Sequence, residues 1–384
     1  MRIAYCLNSI RYLGGIQRVT IVKANALADI SDNEVYIIVS DNREGRIVHP
    51  LSPKVHLIDL AVNYYQDDWK SKWHVLKGIV VKRRKHKKKL AKVLHEINPD
   101  IVISVGQSEK NMIPAISGRW VKVRELHFTK NYRWFHAHSI FSKTLAIFGD
   151  LYDYFYKIRQ YDRIIVLTYE DKESHWKGYK NVSVIPNPIS FSDIAANNTL
   201  EGKKVIAIGR LNAQKNFSSL IRSYRIVAQK HPDWILEIYG DGEQKYNLLQ
   251  LIEQFDLRKQ VYLRGFTSEV QRELLNASCF VLSSTFEGFG LVITEAMSCG
   301  LPVVSYACPC GPKDIISEGV DGFLVPVNDE QGLADRICRL IENEEMRKAM
   351  GKAARLKAEQ YRIEKIIPMW MDLFNQLLKE KREK

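Results

Sequence analysis

Short apolar runs alternate with longer stretches of helical periodicity along almost the whole chain. Arg2–Leu7 is apolar, and the loop NSIRYLGGIQR separates it from a segment starting near Gly15 in which Val19, Val22, Ala26 and Leu27 recur at helical spacing. Further strands are predicted at Glu34–Val39, Asp100–Val105, Val121–Leu126 and Arg163–Leu167. DIVISV at 100–105 is a continuous run bounded by Pro99 and Gly106, as a strand buried on both faces requires. A second series starts beyond residue 203, with strands at Val205–Gly209, Ile235–Tyr239, Val261–Leu263 and Phe280–Ser283 and helices at Phe217–Lys230, Tyr246–Phe255 and Ser268–Ala277 between them. Phe217, Leu220, Ile221, Tyr224, Val227 and Ala228 form one stripe of the first of these helices. A helix ending at Cys299 is closed by Gly300 and Pro302, and the strand Val303–Tyr306 follows. Ile366, Ile367, Trp370, Phe374 and Leu377 make Ile363–Leu378 amphipathic.

This order predicts an α/β protein of two Rossmann-like, doubly wound parallel-sheet domains whose facing strand ends form a cleft. Residues 181–203 lose periodicity and read as a linker. The domains are placed at 1–188 and 189–365, with 366–384 a C-terminal helix packing back toward the N-terminal domain.

Composition narrows the class. The 384 residues are 46% apolar and 26% charged, which excludes wholesale disorder. Ala296–Pro312, the longest uncharged stretch worth checking, is broken by glycines and prolines and does not read as a membrane span. The start MRIAYCLNSI is too short in its apolar run for a signal-peptide core. The six cysteines lack paired C-x-x-C spacing, so buried or loop thiols are predicted rather than zinc, in a reducing cytoplasm. Charge is unevenly placed: residues 1–190 hold 31 Lys+Arg against 18 Asp+Glu, a difference of +13 that equals the whole chain's net charge. Its densest part is KRRKHKKKLAK at 82–92, which reads either as a solvated helix face or as a surface for anionic lipid or nucleic acid.

Three segments of the second half gather at the C-terminal edge of one sheet, where open α/β sheets bind ligands. In GRLNAQKNF (209–217), Arg210 and Lys215 bracket a strand-to-helix loop and suit a diphosphate, Arg gripping two oxygens and Lys offering a point charge. YGDGEQ (239–244) reads equally as a close backbone approach or a plain turn. In FEGFGLVITEAMSCGLPVV (286–304), Glu287 lies in the loop after a buried strand, and Phe289, Gly290 and Leu291 lead into a helix carrying Glu295. The free N–H groups of that helix start suit an anion or a hydroxyl. A carboxylate at Glu295, amid Leu291, Val292, Ile293 and Ala296, needs partners, and sugar hydroxyls would serve.

Together, E-G-F-G-L-x(3)-E-A-M-x-C-G-x-P-V and the upstream GRLxxxKN resemble the retaining glycosyltransferases of GT-B fold known as group 1 or family 4. GDG, RGF (264–266), DGFLVP (321–326), GGIQR (14–18), REL-His127 and IPNPI (185–189) fall in the same order. The resemblance implies that Arg210 and Lys215 bind the diphosphate of a nucleotide sugar and that Glu295 holds the ribose. It further implies that Glu287 and the Phe289–Leu291 backbone hold the transferred sugar and phosphate, and that Gly265 and Phe266 lie by the base. Gly14 and Gly15 would approach the diphosphate from the other domain, and His127 would lie near the reacting sugar. Asn187 in IPNPI has the same origin, although Asn-Pro also simply makes a turn. CPCGPKDII (308–316) is similar to members using UDP-hexoses, which favours UDP over GDP. No D-x-D occurs to hold magnesium, so no metal cofactor is expected and the protein's cations must stabilise the departing diphosphate.

The acceptor is expected on the basic half, where Tyr132, Trp134, Phe135, Phe141, Phe148, Tyr152, Tyr154, Phe155 and Tyr156 cluster. At least half of these are expected in the core. With residues 82–92 they suggest peripheral contact with anionic membrane at its inner face and a saccharide or lipid-linked acceptor in polysaccharide or lipopolysaccharide assembly. Two other readings compete with this one. An NAD-dependent dehydrogenase needs a G-x-G-x-x-G spacing that NSIRYLGGIQR lacks, and a nucleic-acid-binding protein leaves Glu287 and Glu295 without a role. Nucleic acid is therefore not expected as a partner.

Overall fold

The computed structural model describes residues 1–11, 14–41, 49–64, 72–130, 134, 139–191 and 198–383, with side chains for all of these except 72–80, 141, 154 and 155. Two compact units divide the chain. Unit 1 comprises Met1–Leu167, His175–Pro188 and Ile363–Lys384; unit 2 comprises Thr168–Ser174 and Ile189–Arg362.

Unit 1 is built on strands β1 (Arg2–Leu7), β2 (Glu34–Val39), β3 (Val55–Asp59), β4 (Ile101–Ser104), β5 (Val121–Glu125), β6 (Arg163–Val166) and β7 (Val182–Val184). They form one sheet in the order β3-β2-β1-β4-β5-β6-β7, and every pairing is parallel. Side chains alternate across it: Ile3, Tyr5 and Leu7 enter one core, Ala4 and Cys6 the other. The first core is closed by the helix Gly15–Ala28 through Ile21, Ala24 and Leu27, and by the last helix, Ile363–Arg382, through Ile366, Trp370, Phe374 and Leu377. Arg163 Nη2 lies 3.4 Å from Glu380 Oε1, which ties that last helix to β6. The second core is closed by the helix Lys72–Ile97 through Leu90, Leu94 and Ile97.

Unit 2 carries β8 (Lys204–Ile208), β9 (Ile235–Tyr239), β10 (Val261–Gly265), β11 (Cys279–Leu282), β12 (Val303–Tyr306) and β13 (Gly322–Val325). Their order is β10-β9-β8-β11-β12-β13, again all parallel. Strand order reverses between β8 and β11, so the loops leaving these two neighbours open at a topological switch point.

Some sequence expectations are corrected. The linker reading of 181–203 began too early, because Val182–Val184 is β7; none of β3, β7 and β13 was predicted. All three are edges of their sheets, where strands are short or partly exposed and lack a long continuous apolar run. On the first helix, Val22 and Ala26 are only half-buried while Lys23 is fully buried, which rotates the expected stripe. The basic run 82–92 lies on the helix Lys72–Ile97: Arg83, Arg84, Lys85, Lys87, Lys88 and Lys92 face solvent over buried His86 and Leu90. All six cysteines are buried and free. Among the described residues no helix is long and apolar enough to cross a membrane. Of the aromatics assigned to the basic half, Tyr132 and Phe135 and the side chains of Phe141, Tyr154 and Phe155 lie outside the described residues. The other four, Trp134, Phe148, Tyr152 and Tyr156, are exposed.

Candidate active site

The loop after β8 runs from Gly209 to Asn216 and feeds the helix Phe217–Lys230; the loop after β11 runs from Ser283 to Gly290 and feeds the helix Leu291–Ser298. Four hydrogen bonds fix these loops. Gln214 Nε2 donates to the Phe286 carbonyl at 3.0 Å and Thr285 N–H to the Gln214 carbonyl at 2.9 Å. Ser283 Oγ donates to the Lys215 carbonyl at 2.8 Å, and Glu287 N–H to the Pro309 carbonyl at 2.7 Å. YGDGEQ braces the first loop, since Leu211 N–H donates to the Asp241 carbonyl and Gln244 N–H to the Leu211 carbonyl, both at 3.0 Å.

This frame brings two of the predicted residues into direct contact. Lys215 Nζ lies 2.6 Å from Glu287 Oε1, which also accepts from Ser284 Oγ at 2.6 Å. Glu287 is buried and Lys215 largely so. An ammonium has three donors, so two remain for another acceptor after Glu287 takes one. Arg210, at the mouth of the same loop, is exposed and has no ion-pair partner among the described residues. Glu295 is fully buried and accepts a 2.5 Å hydrogen bond from Ser190 Oγ, so a protein hydroxyl supplies the kind of partner the sequence required. Gly290 caps its helix in the left-handed conformation (φ 90°), and Leu291 is the first helical residue. The Phe289 ring is buried against Tyr361, leaving its backbone as the part that could serve a ligand. Gly265 ends β10, and the Phe266 ring after it is exposed.

The CPCGPKDII segment supports the second loop. Gly311 has φ 118°, and a Cβ there would stand 2.0 Å from the Phe289 carbonyl oxygen, so the two backbones approach as only glycine permits. Asp314 at its end accepts from the backbone N–H groups of Tyr169 and Glu170.

The remaining predicted residues belong to unit 1. Gly14 caps the helix Gly15–Ala28, and His127 lies just past β5, buried. Its Nε2 is 3.2 Å from Glu125 Oε1, and the same carboxylate accepts from the buried Lys23 ammonium. Lys23 also lies 4.6 Å from the centroid of the Trp370 ring. Burial would raise the Glu125 carboxyl, but the Lys23 ammonium and the His127 ring overcome it and hold it down to about 2. Burial likewise lowers Lys23, opposed by Glu125. Neither Lys23 nor Glu125 was singled out from sequence. The available signals were a lysine inside an apolar helical stripe and an acid in phase with Val121 and Val123 on a buried strand. His127 lines a cavity of about 270 Å³ within unit 1, together with Lys110, Arg124, Thr129, Lys130 and Tyr161. Asn187 is buried, and its Oδ1 has no hydrogen-bond partner among the described residues.

Comparison with known proteins agrees with this architecture. Residues 191–357 match the family Glycosyl transferases group 1. An uncharacterized glycosyltransferase of Methanocaldococcus jannaschii is 32% identical over 332 residues, covering 73% of this chain and 80% of its own. The amylovoran biosynthesis glycosyltransferase AmsD of Erwinia amylovora is 29% identical over 222 residues, 56% of this chain and 62% of its own. Among solved structures, HepE of Anabaena in complex with UDP and glucose superposes with a TM-score of 0.74 at 20% identity, over 98% of this chain and 99% of its own; its fold is that of the GT-B glycosyltransferases. These matches set aside the dehydrogenase and nucleic-acid readings: with two all-parallel α/β units and a family match spanning Lys215, Glu287 and Glu295, this chain belongs to the group 1 glycosyltransferases.

Proposed function

We propose that this chain transfers a hexose or N-acetylhexosamine from a nucleotide sugar, UDP in preference to GDP, to a saccharide acceptor, with retention of anomeric configuration. The observation that carries the reading is the Lys215–Glu287 pair at the switch point of unit 2, with Arg210, which has no ion-pair partner among the described residues, at the mouth of the same loop. When the sugar–phosphate bond breaks, its electron pair leaves with the diphosphate. Arg210 takes two of its oxygens, and Lys215 turns its two remaining donors to it while Glu287 fixes the ammonium in place. The acceptor hydroxyl attacks from the face the diphosphate leaves, and its proton passes to a leaving phosphate oxygen. Glu287, committed to Lys215 and Ser284, orients the sugar rather than attacking it. Glu295 turns from Ser190 to the ribose hydroxyls, the Phe289–Leu291 backbone meets the sugar and phosphate, and Gly265 and Phe266 flank the base. Gly14 and Gly15 are assigned to the diphosphate, and His127 to the reacting sugar.

The UDP preference is supported by the CPCGPKDII segment and by the UDP bound to HepE. The acceptor is proposed to be lipid-linked and the product a cell-surface polysaccharide or lipopolysaccharide, on the strength of the amylovoran relative and the basic face at 82–92. Such an acceptor places the enzyme at the cytoplasmic face of the membrane, with the unit 1 cavity taking the saccharide.

A panel of UDP- and GDP-sugars, scored for slow hydrolysis and for thermal-shift stabilisation, tests the proposal. Hydrolysis of one UDP-sugar, unaffected by EDTA, is the expected result. Stabilisation by no nucleotide sugar, or hydrolysis abolished by EDTA and restored by magnesium, would overturn the donor assignment or the metal-independent mechanism respectively.

A further inference from the structure

The helix Ile140–Leu151 is amphipathic in the wrong sense for a globular protein. Its apolar residues face water: Ile140 is 87% exposed, Phe148 65%, Leu145 56%, Ile147 47% and Leu151 45%. At 100° per residue Ile140, Leu145, Ile147, Phe148 and Leu151 fall within one half of the helix circumference, which Thr144 shares, and Tyr152 and Tyr156 are exposed on the π-helical turn that follows. The opposite half, toward unit 1, carries buried Ala146 and half-buried Asp150, and the π-helical turn that follows buries Asp153, whose carboxylate is held by Lys110 at 2.6 Å. A helix that turns its acids inward and its Leu, Ile and Phe outward presents an apolar patch of the kind that marks an interaction surface.

We propose that this face is a membrane-docking surface that inserts among the headgroups and upper acyl chains of an anionic bilayer. Three features select lipid over a second copy of the chain. An aromatic–cation pair stands at each end of the helix: Lys143 lies 4.9 Å from the Trp134 ring centroid, and Lys157 lies 5.2 Å from Tyr156 and 5.8 Å from Tyr152. Trp and Tyr at headgroup level, with lysines reaching up toward phosphates, are the rim of an interfacial helix. The patch also belongs to the half of the chain that holds the whole net charge of +13. The same unit exposes Arg83, Arg84, Lys85, Lys87, Lys88 and Lys92, which attract anionic lipid. Like-charged copies of unit 1 would repel one another.

The proposal deepens the lipid-linked reading of the acceptor, and its test needs neither donor nor acceptor, so the two can fail separately. The full-length protein is mixed with vesicles of phosphatidylcholine, with and without one-third phosphatidylglycerol, and co-sedimentation and Trp fluorescence are followed across a salt series. The wild type is expected to bind the anionic vesicles with a blue-shifted spectrum. The combined Ile147→Ser, Phe148→Ser and Leu151→Ser variant is expected to bind at least about ten-fold more weakly at an unchanged melting temperature. Lys87→Glu with Lys88→Glu should weaken binding mainly at low salt. Wild-type affinity in the triple serine variant would overturn the proposal. So would a lipid-free wild-type dimer that the same variant converts to monomer, which would assign the face to a second copy.

Discussion

Lys215 and Glu287 are each other's partner in the free protein, and that changes what their removal does. Lys215→Ala takes away a diphosphate donor, and loss of such a preorganised group costs on the order of 10²–10³ in turnover. It also strands Glu287, which is buried with only Ser284 left to it, so stability should fall by roughly 3 kcal/mol. Combining Lys215→Met with Glu287→Gln removes both charges and should restore the urea midpoint but not turnover. An unchanged midpoint in the single variant would show that the pair does not support the fold. Glu125 makes a pH prediction at the same scale. Its folded carboxyl is held down to about 2, below its ordinary value of about 4.3, so it binds fewer protons than in the unfolded chain. Its contribution is present above pH ~4.3 and lost as pH falls toward 2. Urea midpoints measured from pH 6 to pH 2.5 should fall more steeply in the wild type than in Glu125→Gln; parallel curves would argue against the ion pair.

Loops leaving adjacent strands at a switch point are natural ligand sites because their backbones are free while the strands beneath are fully buried. Here the loops after β8 and β11 are tied to each other by Gln214, Thr285 and Ser283, and the second is buttressed from below by CPCGPKDII. That buttress sets an element-scale prediction. In Gly311→Ala the Cβ meets the Phe289 carbonyl while φ stays at 118°, so the 287–290 loop must shift. The variant should lose about 1–3 kcal/mol of stability from backbone strain. Its donor KM should rise while the secondary structure, followed by far-ultraviolet circular dichroism, stays that of the wild type. A donor KM equal to wild type would mean that Gly311 does not position the loop.

At the scale of the molecule, the last helix supplies a large share of one core of unit 1. Ile366, Trp370, Phe374 and Leu377 are buried in the same core as β1, and Trp370 also covers Lys23. Each fully buried apolar side chain contributes about 1.5–3 kcal/mol, so four of them amount to roughly 6–12 kcal/mol. That matches the whole stability of a domain, about 5–15 kcal/mol. A chain ending at Arg362 should therefore lose protection in unit 1 by hydrogen exchange while unit 2 retains it; a protected β1 in that chain would refute the dependence.

The sequence by itself determined the interior strands, several of the helices between them and the loops that carry Arg210, Lys215 and Glu287, with Glu295 on the helix that follows. Those signals are local: a strand buried on both faces must be apolar throughout, and a site loop must follow it. Edge strands β3, β7 and β13 escaped notice because short length or partial exposure dilutes the same signal. The pairing of Lys215 with Glu287 across 72 residues, and of Lys23 with Glu125 across 102, was decided only by the tertiary structure. So was the outward turn of the helix Ile140–Leu151, whose hydrophobic pattern is the same whichever face it buries. Periodicity records that a helix has two faces; which of them meets the protein is fixed by what the rest of the chain brings beside it.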